Sequence, residues 1–372
     1  RSDLVRSRGR SGPSMAVPPR PLNPNVPSGS AASRLRALLN EPGILTMPCC
    51  FDALSARLIE RAGFDITFMS GFSTSAAKLG LPDTGYISYG EMLDAGRDIC
   101  SAVTIPVLAD GDTGYGNAMN VKRTVKGYAA TGFAAVMIED QVAPKRCGHT
   151  KGKDVVGRAE AIQRVRAACD ARDEGADILI LARTDARTVL GMEEALERIR
   201  LFEECGADII FLEAPESIEE MKMHCDAAPN TPKLANMLEG GKTPVLPPAE
   251  LEAMGYKIAA YPLTLLSRAV AAMNEALADL KAGREVQGLL TFPELRDVVG
   301  FDDYYREEER YKQPEAGAKA EAEEADDEAE VEADPPPVSD WTEQFHDKSG
   351  SKFWFNPKTG ESSWKMPEEL RD

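Results

Sequence analysis

Two short polar loops in this sequence have the composition of reactive sites. The first reads Asp110-Gly-Asp112-Thr-Gly, which sets two carboxylates close together among glycines that let a ligand approach the backbone. Hard cations such as Mg²⁺ prefer oxygen ligands in near-octahedral geometry and keep several waters. Asp110 and Asp112, together with Glu139, therefore form a candidate metal site, although Asp-x-Asp pairs are also common in plain surface turns.

The second loop reads Lys145-Arg-Cys147-Gly-His149. Two cations and a histidine beside a cysteine favour its thiolate, which suits Cys147 to exchange a proton with a carbanion. The alternative is an inert loop cysteine. Gly148 and Gly152 indicate a segment that can open and close over a substrate.

Alternating apolar and amphipathic segments must position these loops. Short apolar runs rich in β-branched residues recur between Ile44 and Tyr261, each followed by a longer amphipathic stretch, as in a parallel sheet with crossover helices. Eight such runs favour a closed (β/α)₈ barrel over an open doubly wound sheet, so the predicted fold class is α/β. The predicted strands are Ile44–Met47, Ile66–Met69, Pro106–Ala109, Ala135–Ile138, Ile178–Ala182, Ile209–Leu212, Lys233–Ala235 and Ile258–Ala260.

The segments between these strands read as helices, and several end at a glycine that can adopt the left-handed conformation. Beyond the barrel, Leu265–Ala282 and Thr291–Tyr311 predict two further helices that are too apolar for a free tail. The predicted crossover helices are Ala53–Ala62, Tyr89–Ser101, Val121–Thr131, Ala159–Glu174, Met192–Cys205, Ile218–Ala227 and Pro248–Met254, and the terminating glycines are Gly63, Gly132, Gly175, Gly206 and Gly255.

Active sites of (β/α)₈ barrels lie at the C-terminal ends of the strands. Polar residues follow six of the predicted strands at that end, so we expect them to form one shared site. They are Ser70 and Gly71 after the second strand, Asp110 and Asp112 after the third, Glu139 and Asp140 after the fourth, Arg183 and Asp185 after the fifth, Glu213 after the sixth and Asn236 after the seventh.

The composition excludes several classes of protein. A chain of 372 residues with 43% hydrophobic residues can build one large core plus smaller parts. A net charge of −18 argues against general affinity for nucleic acid. Seven cysteines without a Cys-x-x-Cys pair, and only three histidines, fit neither a disulfide framework nor a structural zinc site. These features, and the lack of an apolar run of ~18 residues, predict a cytoplasmic protein with no membrane partner.

Changes in composition divide the chain into four parts. Residues 1–34 are rich in Arg and Pro and read as a disordered tail, with an organellar leader there left open as the alternative. Residues 35–312 form the predicted barrel with its C-terminal helices. Residues 313–338 are an acidic, Pro-rich linker that cannot bury enough apolar surface to fold. Residues 339–370 form a separate aromatic module.

The aromatic module resembles a WW domain. Trp341 and Trp364 are separated by 22 residues, Phe353-Trp-Phe-Asn lies between them, and Pro367 follows. Three short strands can bury Trp341, Trp354 and Pro367 on one face and leave Phe353 and Trp364 on the other, where such an aromatic pair clamps a proline-rich peptide. The alternative is a collapsed aromatic tail.

The barrel motifs together resemble the isocitrate lyase/phosphoenolpyruvate mutase superfamily over about residues 35–312. The loop with Cys147 resembles the lyase branch and is not expected in phosphonate mutases. Phe72 stands where methylisocitrate lyases usually have glycine, so the chain is more similar to the petal death protein and 2,3-dimethylmalate lyase group. The motifs are Ser70-Gly71, Leu79-Gly-Leu-Pro-Asp83, Asp110-Gly-Asp112-Thr-Gly, Ile138-Glu139-Asp140-Gln141, Lys145-Arg-Cys-Gly-His149, Ala182-Arg183-Thr-Asp185-Ala and Glu213-Ala-Pro.

This resemblance implies a carbon–carbon lyase acting on a small 2-hydroxy or 2-oxo dicarboxylate: a 2-alkylmalate, methylisocitrate or oxaloacetate. It implies Mg²⁺, with Mn²⁺ as an alternative, and a homotetramer that exchanges its C-terminal helices. The implied metal ligands are Asp112 directly and Asp110 and Glu139 through waters, the catalytic residues are Cys147, Arg183, His149 and Glu213, and the substrate-binding residues are Ser70, Gly71, Phe72, Asp83, Gly148 and Asn236.

Two other functions remain open at this point. The same barrel supports a phosphonate-related phosphorylmutase, which the cysteine of the Lys-Arg-Cys-Gly-His loop disfavours. The barrel could also be a non-catalytic scaffold that carries the WW module, but this requires a damaged site, and none of the expected residues is missing.

Overall fold

The computed structural model describes residues 28–146, 148, 152–312, 341–345 and 352–365. The predicted residues Cys147, His149 and Pro367, and the predicted linker, lie outside these described ranges. The chain divides into two compact units, Arg1–Phe301 and Asp302–Asp372, and each is described by itself.

Eight parallel strands close into a barrel in sequential order, with the last strand paired to the first. This confirms the predicted fold class, and each of the eight predicted runs overlaps one of the strands. Their bounds are β1 Leu45–Cys50, β2 Thr67–Met69, β3 Val107–Asp110, β4 Ala135–Glu139, β5 Leu179–Thr184, β6 Ile209–Leu212, β7 Lys233–Asn236 and β8 Ile258–Tyr261.

Helices cover the outside of the barrel and bury both faces of its strands, which is why the strands read as continuous apolar runs. The five glycines predicted to end helices all have positive φ. The helices of the first unit are α1 Ala31–Asn40, α2 Ala53–Arg61, α3 Gly71–Leu79, α4 Tyr89–Ala102, α5 Ala118–Thr131, α6 Arg158–Asp173, α7 Ala186–Leu190, α8 Met192–Glu204, α9 Ile218–Ala227, α10 Pro248–Met254, α11 Thr264–Lys281 and α12 Phe292–Val299, and α13 Phe301–Arg310 follows at the boundary.

The structure corrects two of the predicted segments. Helix α1 begins at Ala31, after the N-cap Ser30, so residues 31–34 are helical and do not belong to the predicted disordered tail. The single helix predicted over Thr291–Tyr311 is two helices, α12 and α13. Gly300 ends α12 with a φ of +89°, a conformation that side chains other than glycine rarely adopt.

The second unit contains a three-stranded antiparallel sheet in the order β11-β10-β9, as predicted for a WW module. The strands are β9 Thr342–Phe345, β10 Lys352–Asn356 and β11 Glu361–Ser363. The rings of Phe353 and Trp364 lie 5.4 Å apart, and Trp364 is 59% exposed. Trp341 and Trp354 are half-buried.

Two further features concern the described residues as a whole. No helix there is long and apolar enough to cross a bilayer. All six cysteines that the structure describes are free thiols.

Candidate active site at the C-terminal ends of the barrel strands

The alternation of side chains along each strand places the polar strand-end residues inside the barrel mouth. Leu108 of β3 belongs to the apolar cluster in the barrel interior, whereas Val107 and Ala109 pack against the outer helices. Asp110, two residues beyond Leu108, must therefore face inward. The same spacing of two holds for the other strands: Phe68 and Ser70, Met137 and Glu139, Leu181 and Arg183, Phe211 and Glu213, and Leu234 and Asn236.

The Asp110–Asp112 loop is a tight turn that buries both carboxylates. Gly111 donates its N–H to the carbonyl of Met137 at 2.9 Å, and a Cβ on Gly111 would stand 2.6 Å from that carbonyl oxygen. Asp112 has a φ of +49° and donates its N–H to Asp110 Oδ1 at 2.9 Å. The glycine is required here because the two strand ends lie too close together for a side chain.

The ammonium group of Lys145 lies among carboxylates that include Asp110 and Asp112, two of the predicted metal ligands. Its Nζ lies 2.7 Å from Asp112 Oδ1, 2.9 Å from Asp83 Oδ1 and 3.5 Å from Asp110 Oδ2. Lys145 is only 4% exposed. Burial opposes its charge, but Asp110, Asp112 and Asp83 outweigh that effect and raise the pKa of Lys145 well above its ordinary value. We call Asp83, Asp110 and Asp112 the carboxylate cluster.

The donor set at this position fits a hard divalent cation. Asp83 Oδ1, Asp112 Oδ1 and both carboxyl oxygens of Glu139 are buried without a hydrogen bond, although the first two lie within ion-pair distance of Lys145. Burial raises the pKa of Asp112 to about 7 despite Lys145, and it also raises the pKa of Glu139 well above its usual range. An added cation would stabilise the ionised forms of Asp112 and Glu139.

The described residues do not form a ready-made ligand set, since no three acidic, cysteine or histidine side chains there converge as metal ligands would. The reason is geometric, because the Lys145 ammonium lies between the members of the carboxylate cluster. The chemistry of the donors suits Mg²⁺.

Arg183 lies on β5, next to Glu139 at the end of the neighbouring strand β4. Its Nε is 2.8 Å from Asp185 Oδ2 and 3.3 Å from Glu139 Oε2, and its Nη2 is 3.3 Å from Glu213 Oε2. Lys153 approaches Asp185 Oδ1 to 2.8 Å. Although burial opposes it, Arg183 and Lys153 lower the pKa of Asp185 to about 2. Asp185 therefore stays ionised and fixes Arg183.

The N-terminus of α3 forms another wall of the site. Ser70 caps this helix by accepting the N–H of Ser73 at 3.2 Å. As at any helix start, the N–H groups of Gly71 and Phe72 have no acceptor inside the helix, which suits them to bind an anion. A Cβ on Gly71 would stand 2.3 Å from Asp110 Oδ2, so only glycine fits against the cluster.

Gly148 lies close to Arg183 and Glu213. A Cβ on Gly148 would lie 2.6 Å from both Arg183 Nη2 and Glu213 Cδ. The Gly148 carbonyl accepts a hydrogen bond from Lys153 Nζ at 2.6 Å. Cys147 and His149 lie outside the described residues, so their predicted roles stay predictions.

One pocket brings most of the predicted substrate-binding residues together, whereas Asp110, Asp112 and Glu139 are buried next to it. The pocket also has apolar walls from the barrel interior, including Phe68, Met137 and Phe211. Its polar lining residues are Ser70, Asp83, Lys145, Arg146, Gly148, Arg183, Glu213 and Asn236, and Phe72 lines it as well.

Two supporting residues have roles that the sequence did not predict: Asp140, which it placed only at a strand end, and Tyr128. Asp140 accepts hydrogen bonds from Thr184 Oγ1 at 2.6 Å, from the Asp185 N–H at 2.8 Å and from Arg198 Nη1 at 2.9 Å, which holds the ends of β4 and β5 together. Tyr128 donates its hydroxyl to the Asp110 carbonyl at 2.9 Å. Neither role has a sequence signal, because both depend on long-range geometry.

Comparison with known proteins places the chain in a family. A family model described as phosphoenolpyruvate phosphomutase matches residues 35–281, and a model described as WW domain matches residues 338–367. The 2,3-dimethylmalate lyase of Eubacterium barkeri is 43% identical over 76% of this chain and 98% of that protein. The chain belongs to the phosphoenolpyruvate mutase/isocitrate lyase superfamily. The predicted resemblance, including the WW module, is confirmed.

Superfamily members named for other activities are also similar to this chain. The chloroplastic carboxyvinyl-carboxyphosphonate phosphorylmutase of Arabidopsis thaliana is 39% identical over 77% of this chain and 86% of that protein. A solved oxaloacetate acetylhydrolase with 3,3-difluorooxalacetate is 37% identical with a TM-score of 0.71, covering 74% of this chain and 95% of that one. A solved phosphonopyruvate hydrolase with oxalate and Mg²⁺ is 31% identical with a TM-score of 0.68. The match covers 76% of this chain and 99% of that one. The lyase relatives confirm that this superfamily member is an enzyme of the carbon–carbon lyase type.

Proposed function

We propose that the barrel is a Mg²⁺-dependent carbon–carbon lyase that acts on a small 2-hydroxy or 2-oxo dicarboxylate, either a 2-alkylmalate, methylisocitrate or oxaloacetate. The observation that carries the proposal is Arg183, a buried guanidinium in the pocket wall that lies 3.3 Å from both Glu139 and Glu213. A fixed cation in the wall of a pocket that buried carboxylates also border suits a chelating, anionic substrate. The 2,3-dimethylmalate lyase and oxaloacetate acetylhydrolase among the relatives support this substrate class.

Asp112 directly, and Asp110 and Glu139 through waters, would hold Mg²⁺, or Mn²⁺ as an alternative. The burial of the Asp112 and Glu139 carboxylates supports this assignment, as does the relative solved with oxalate and Mg²⁺. When bound, a divalent cation supplies positive charge that stabilises the negative charge developing on the substrate oxygens.

The chain's own residues orient the substrate. Arg183 pairs with the carboxylate next to C2, because Asp185 fixes its guanidinium at the pocket wall. Ser70 contributes its hydroxyl, since its N–H already donates to the Cys50 carbonyl at 3.1 Å, and Gly71 contributes its N–H. Glu213 and Asn236, with His149, bind the half of the substrate that leaves.

The bond cleavage needs one proton removed and one proton supplied. Loss of the C2 hydroxyl proton lets the C2–C3 bond break, which gives a 2-oxo acid and an enolate-type carboxylate. Cys147 then protonates the carbanion. Arg146 and Gly148, the chain neighbours of Cys147, both line the pocket, which supports this role. Oxaloacetate would enter as its hydrate and yield oxalate and acetate.

A phosphorylmutase is the alternative, because one relative at 39% identity has that name. A single screen separates the two functions. The enzyme is incubated with Mg²⁺ and either 2,3-dimethylmalate, 2-methylisocitrate, oxaloacetate or phosphonopyruvate, and pyruvate, oxalate and phosphoenolpyruvate are measured. The proposal predicts pyruvate or oxalate from the dicarboxylates. Phosphoenolpyruvate as the product from phosphonopyruvate, with no cleavage of the dicarboxylates, would favour the mutase instead.

We propose that the WW module binds a proline-rich peptide between Phe353 and Trp364. The two rings lie 5.4 Å apart with an angle of 44° between their planes, and the exposure of Trp364 leaves a flat aromatic surface. Proline-rich helices dock on such aromatic grooves at low entropic cost.

We also propose that the protein is a homotetramer that exchanges its C-terminal helices. Helix α11 has 18 residues, and none of them is buried. One side of it carries apolar residues that are largely exposed, among them Met273 at 55%, Leu277 at 62% and Leu280 at 64%. An apolar stripe of this length suits contact with a second copy. Light scattering of wild type and of Leu277→Glu tests this proposal, and a monomeric wild type contradicts it.

A further inference from the structure

We propose that Lys145 is the resident counter-ion of the carboxylate cluster and that a divalent cation displaces it, so that metal binding exchanges one cation for another. This inference rests on the metal site of the proposed function. It gives a role to Lys145, which does not lie on a barrel strand. Lys145 cannot bind a metal directly while its ammonium group is charged.

The ammonium group occupies the space between the members of the cluster. Nζ lies 2.7 Å from Asp112 Oδ1, 2.9 Å from Asp83 Oδ1 and 3.5 Å from Asp110 Oδ2. A Mg²⁺ ion or its bound waters must contact the same oxygens. Two cations in a buried site of this size repel each other strongly, because little solvent is present to screen them. The two cations therefore compete for the cluster.

The charge of the cluster explains why a counter-ion is needed. Asp83, Asp110 and Asp112 are each at most 6% exposed, so three carboxylates face one another with little water between them. Without a cation they repel each other, and the buried site is destabilised. Lys145 keeps the carboxylates in place until a metal arrives.

The loop backbone next to Lys145 is anchored independently of the ammonium. Gln141 accepts the N–H of Arg146 at 2.9 Å and donates its side-chain amide to the Arg146 carbonyl at 2.9 Å. Displacement of Lys145 is therefore a rotation of its side chain. Because Lys145 also lines the pocket, the displaced ammonium becomes available to a substrate carboxylate.

The first test measures metal affinity without any reaction. Mn²⁺ is titrated at pH 8 into wild type, Lys145→Met and Lys145→Arg, and the unbound ion is followed by electron paramagnetic resonance. We expect Lys145→Met to bind Mn²⁺ on the order of tenfold more tightly than wild type, because its competitor is gone. Lys145→Arg should bind it no more tightly than wild type. Equal or weaker binding by Lys145→Met overturns the inference.

A matched control distinguishes competition from a general loss of positive charge. Lys153 is also a buried lysine, but it pairs with Asp185 at 2.8 Å and contacts none of the three clustered carboxylates. Lys153→Met should therefore leave the Mn²⁺ affinity within about twofold of wild type. An equal gain in Mn²⁺ affinity in Lys145→Met and Lys153→Met overturns the inference that metal and Lys145 exchange.

The second test uses wild type only, in case Lys145→Met does not fold. Lysines are acetylated with and without saturating Mg²⁺, and the modification of Lys145 is measured by mass spectrometry. We expect Lys145 to be protected without metal and to be labelled at saturating Mg²⁺. Protection that persists at saturating Mg²⁺ overturns the inference while leaving the metal site intact. A wild type that binds neither Mn²⁺ nor Mg²⁺ overturns both the inference and the proposed metal site.

Discussion

Gly148 lies so close to Glu213 that a methyl group on the glycine would stand 2.6 Å from the Glu213 carboxyl carbon. The same methyl group would also stand 2.6 Å from Arg183 Nη2. The loop that carries the candidate proton donor therefore packs directly on the two charged residues assigned to substrate binding. Glycine at this position is a requirement of packing, since its backbone does not need a positive φ.

Gly148→Ala should lower kcat/KM by about tenfold or more, because the added methyl group must push the loop away from Arg183 and Glu213. Its effect on thermal stability should be small, since the loop is a connection and not part of the core. Steady-state kinetics and thermal melting measure the two effects. Gly157→Ala is the matched control, because a Cβ there meets nothing within 4 Å. Equal kinetics for the two variants would contradict the close packing at Gly148.

Asp112→Ala should lower both the Mg²⁺ affinity and the activity, as expected for a direct ligand. Asp112 Oδ1 is buried and pairs with Lys145 Nζ at 2.7 Å, so a cation already occupies the position that the metal would take. Titration calorimetry with Mg²⁺ checks the affinity independently of turnover. A titration that matches wild type means that the metal binds elsewhere.

His224 should make the protein less stable in acid. Burial lowers the pKa of His224 to about 3, whereas the unfolded chain has the ordinary value near 6.5. Between these values the unfolded state binds a proton that the folded state cannot, so the free energy of unfolding falls as pH falls, by up to about 1.4 kcal/mol per pH unit. Its Nδ1 lies 3.1 Å from the Tyr256 hydroxyl, a contact that glutamine can replace.

His224→Gln should therefore lose less stability than wild type on going from pH 7.5 to pH 5, by about 2 kcal/mol. Urea unfolding of both proteins at both pH values gives four free energies of unfolding. The change with pH is taken for each protein separately, so the stability cost of the substitution itself cancels when the two changes are compared. Parallel pH profiles for the two proteins would show that His224 is protonated in the folded state.

The WW module should bind a proline-rich peptide weakly, and a synthetic peptide with the sequence of residues 17–24, which contains four prolines, is a suitable probe. Tryptophan fluorescence of the full chain reports the titration. Trp364→Ala and Phe353→Ala should each abolish binding, because the ligand stacks between the two rings. Thr359→Ala, at an exposed turn, is the control. Binding that survives both aromatic substitutions places the ligand elsewhere.

The barrel was predictable from the sequence because parallel strands that are buried on both faces consist of short runs of apolar residues. Glycines in the left-handed conformation mark the ends of the helices between them. The inward-facing site residues followed from the same strands, since each lies two residues beyond an apolar interior residue. Helix α3 was missed because its sequence, with Gly71, Ser73, Thr74 and Ser75, has no apolar periodicity. It is stabilised by the Ser70 cap and by burial.

The position of Lys145 was not predictable in the same way. The sequence placed it in the reactive loop as a neighbour of the cysteine, but a long side chain on a connection can reach in many directions. Its burial follows only from the convergence of Asp83, Asp110 and Asp112, which come from separate segments. Periodicity describes regular elements and carries no information about such contacts.

The most direct test of the account is the cleavage reaction run in D₂O with 2,3-dimethylmalate and Mg²⁺ and followed by NMR. The account predicts equimolar pyruvate and propionate, with one deuteron on C2 of the propionate because a single exchangeable donor quenches the carbanion. Chelation of the metal should stop the reaction, and Cys147→Ser should abolish turnover while oxalate still binds. The same reaction with 2-methylisocitrate should give monodeuterated succinate. Normal turnover by Cys147→Ser, or no cleavage of these substrates or of oxaloacetate, would contradict the account.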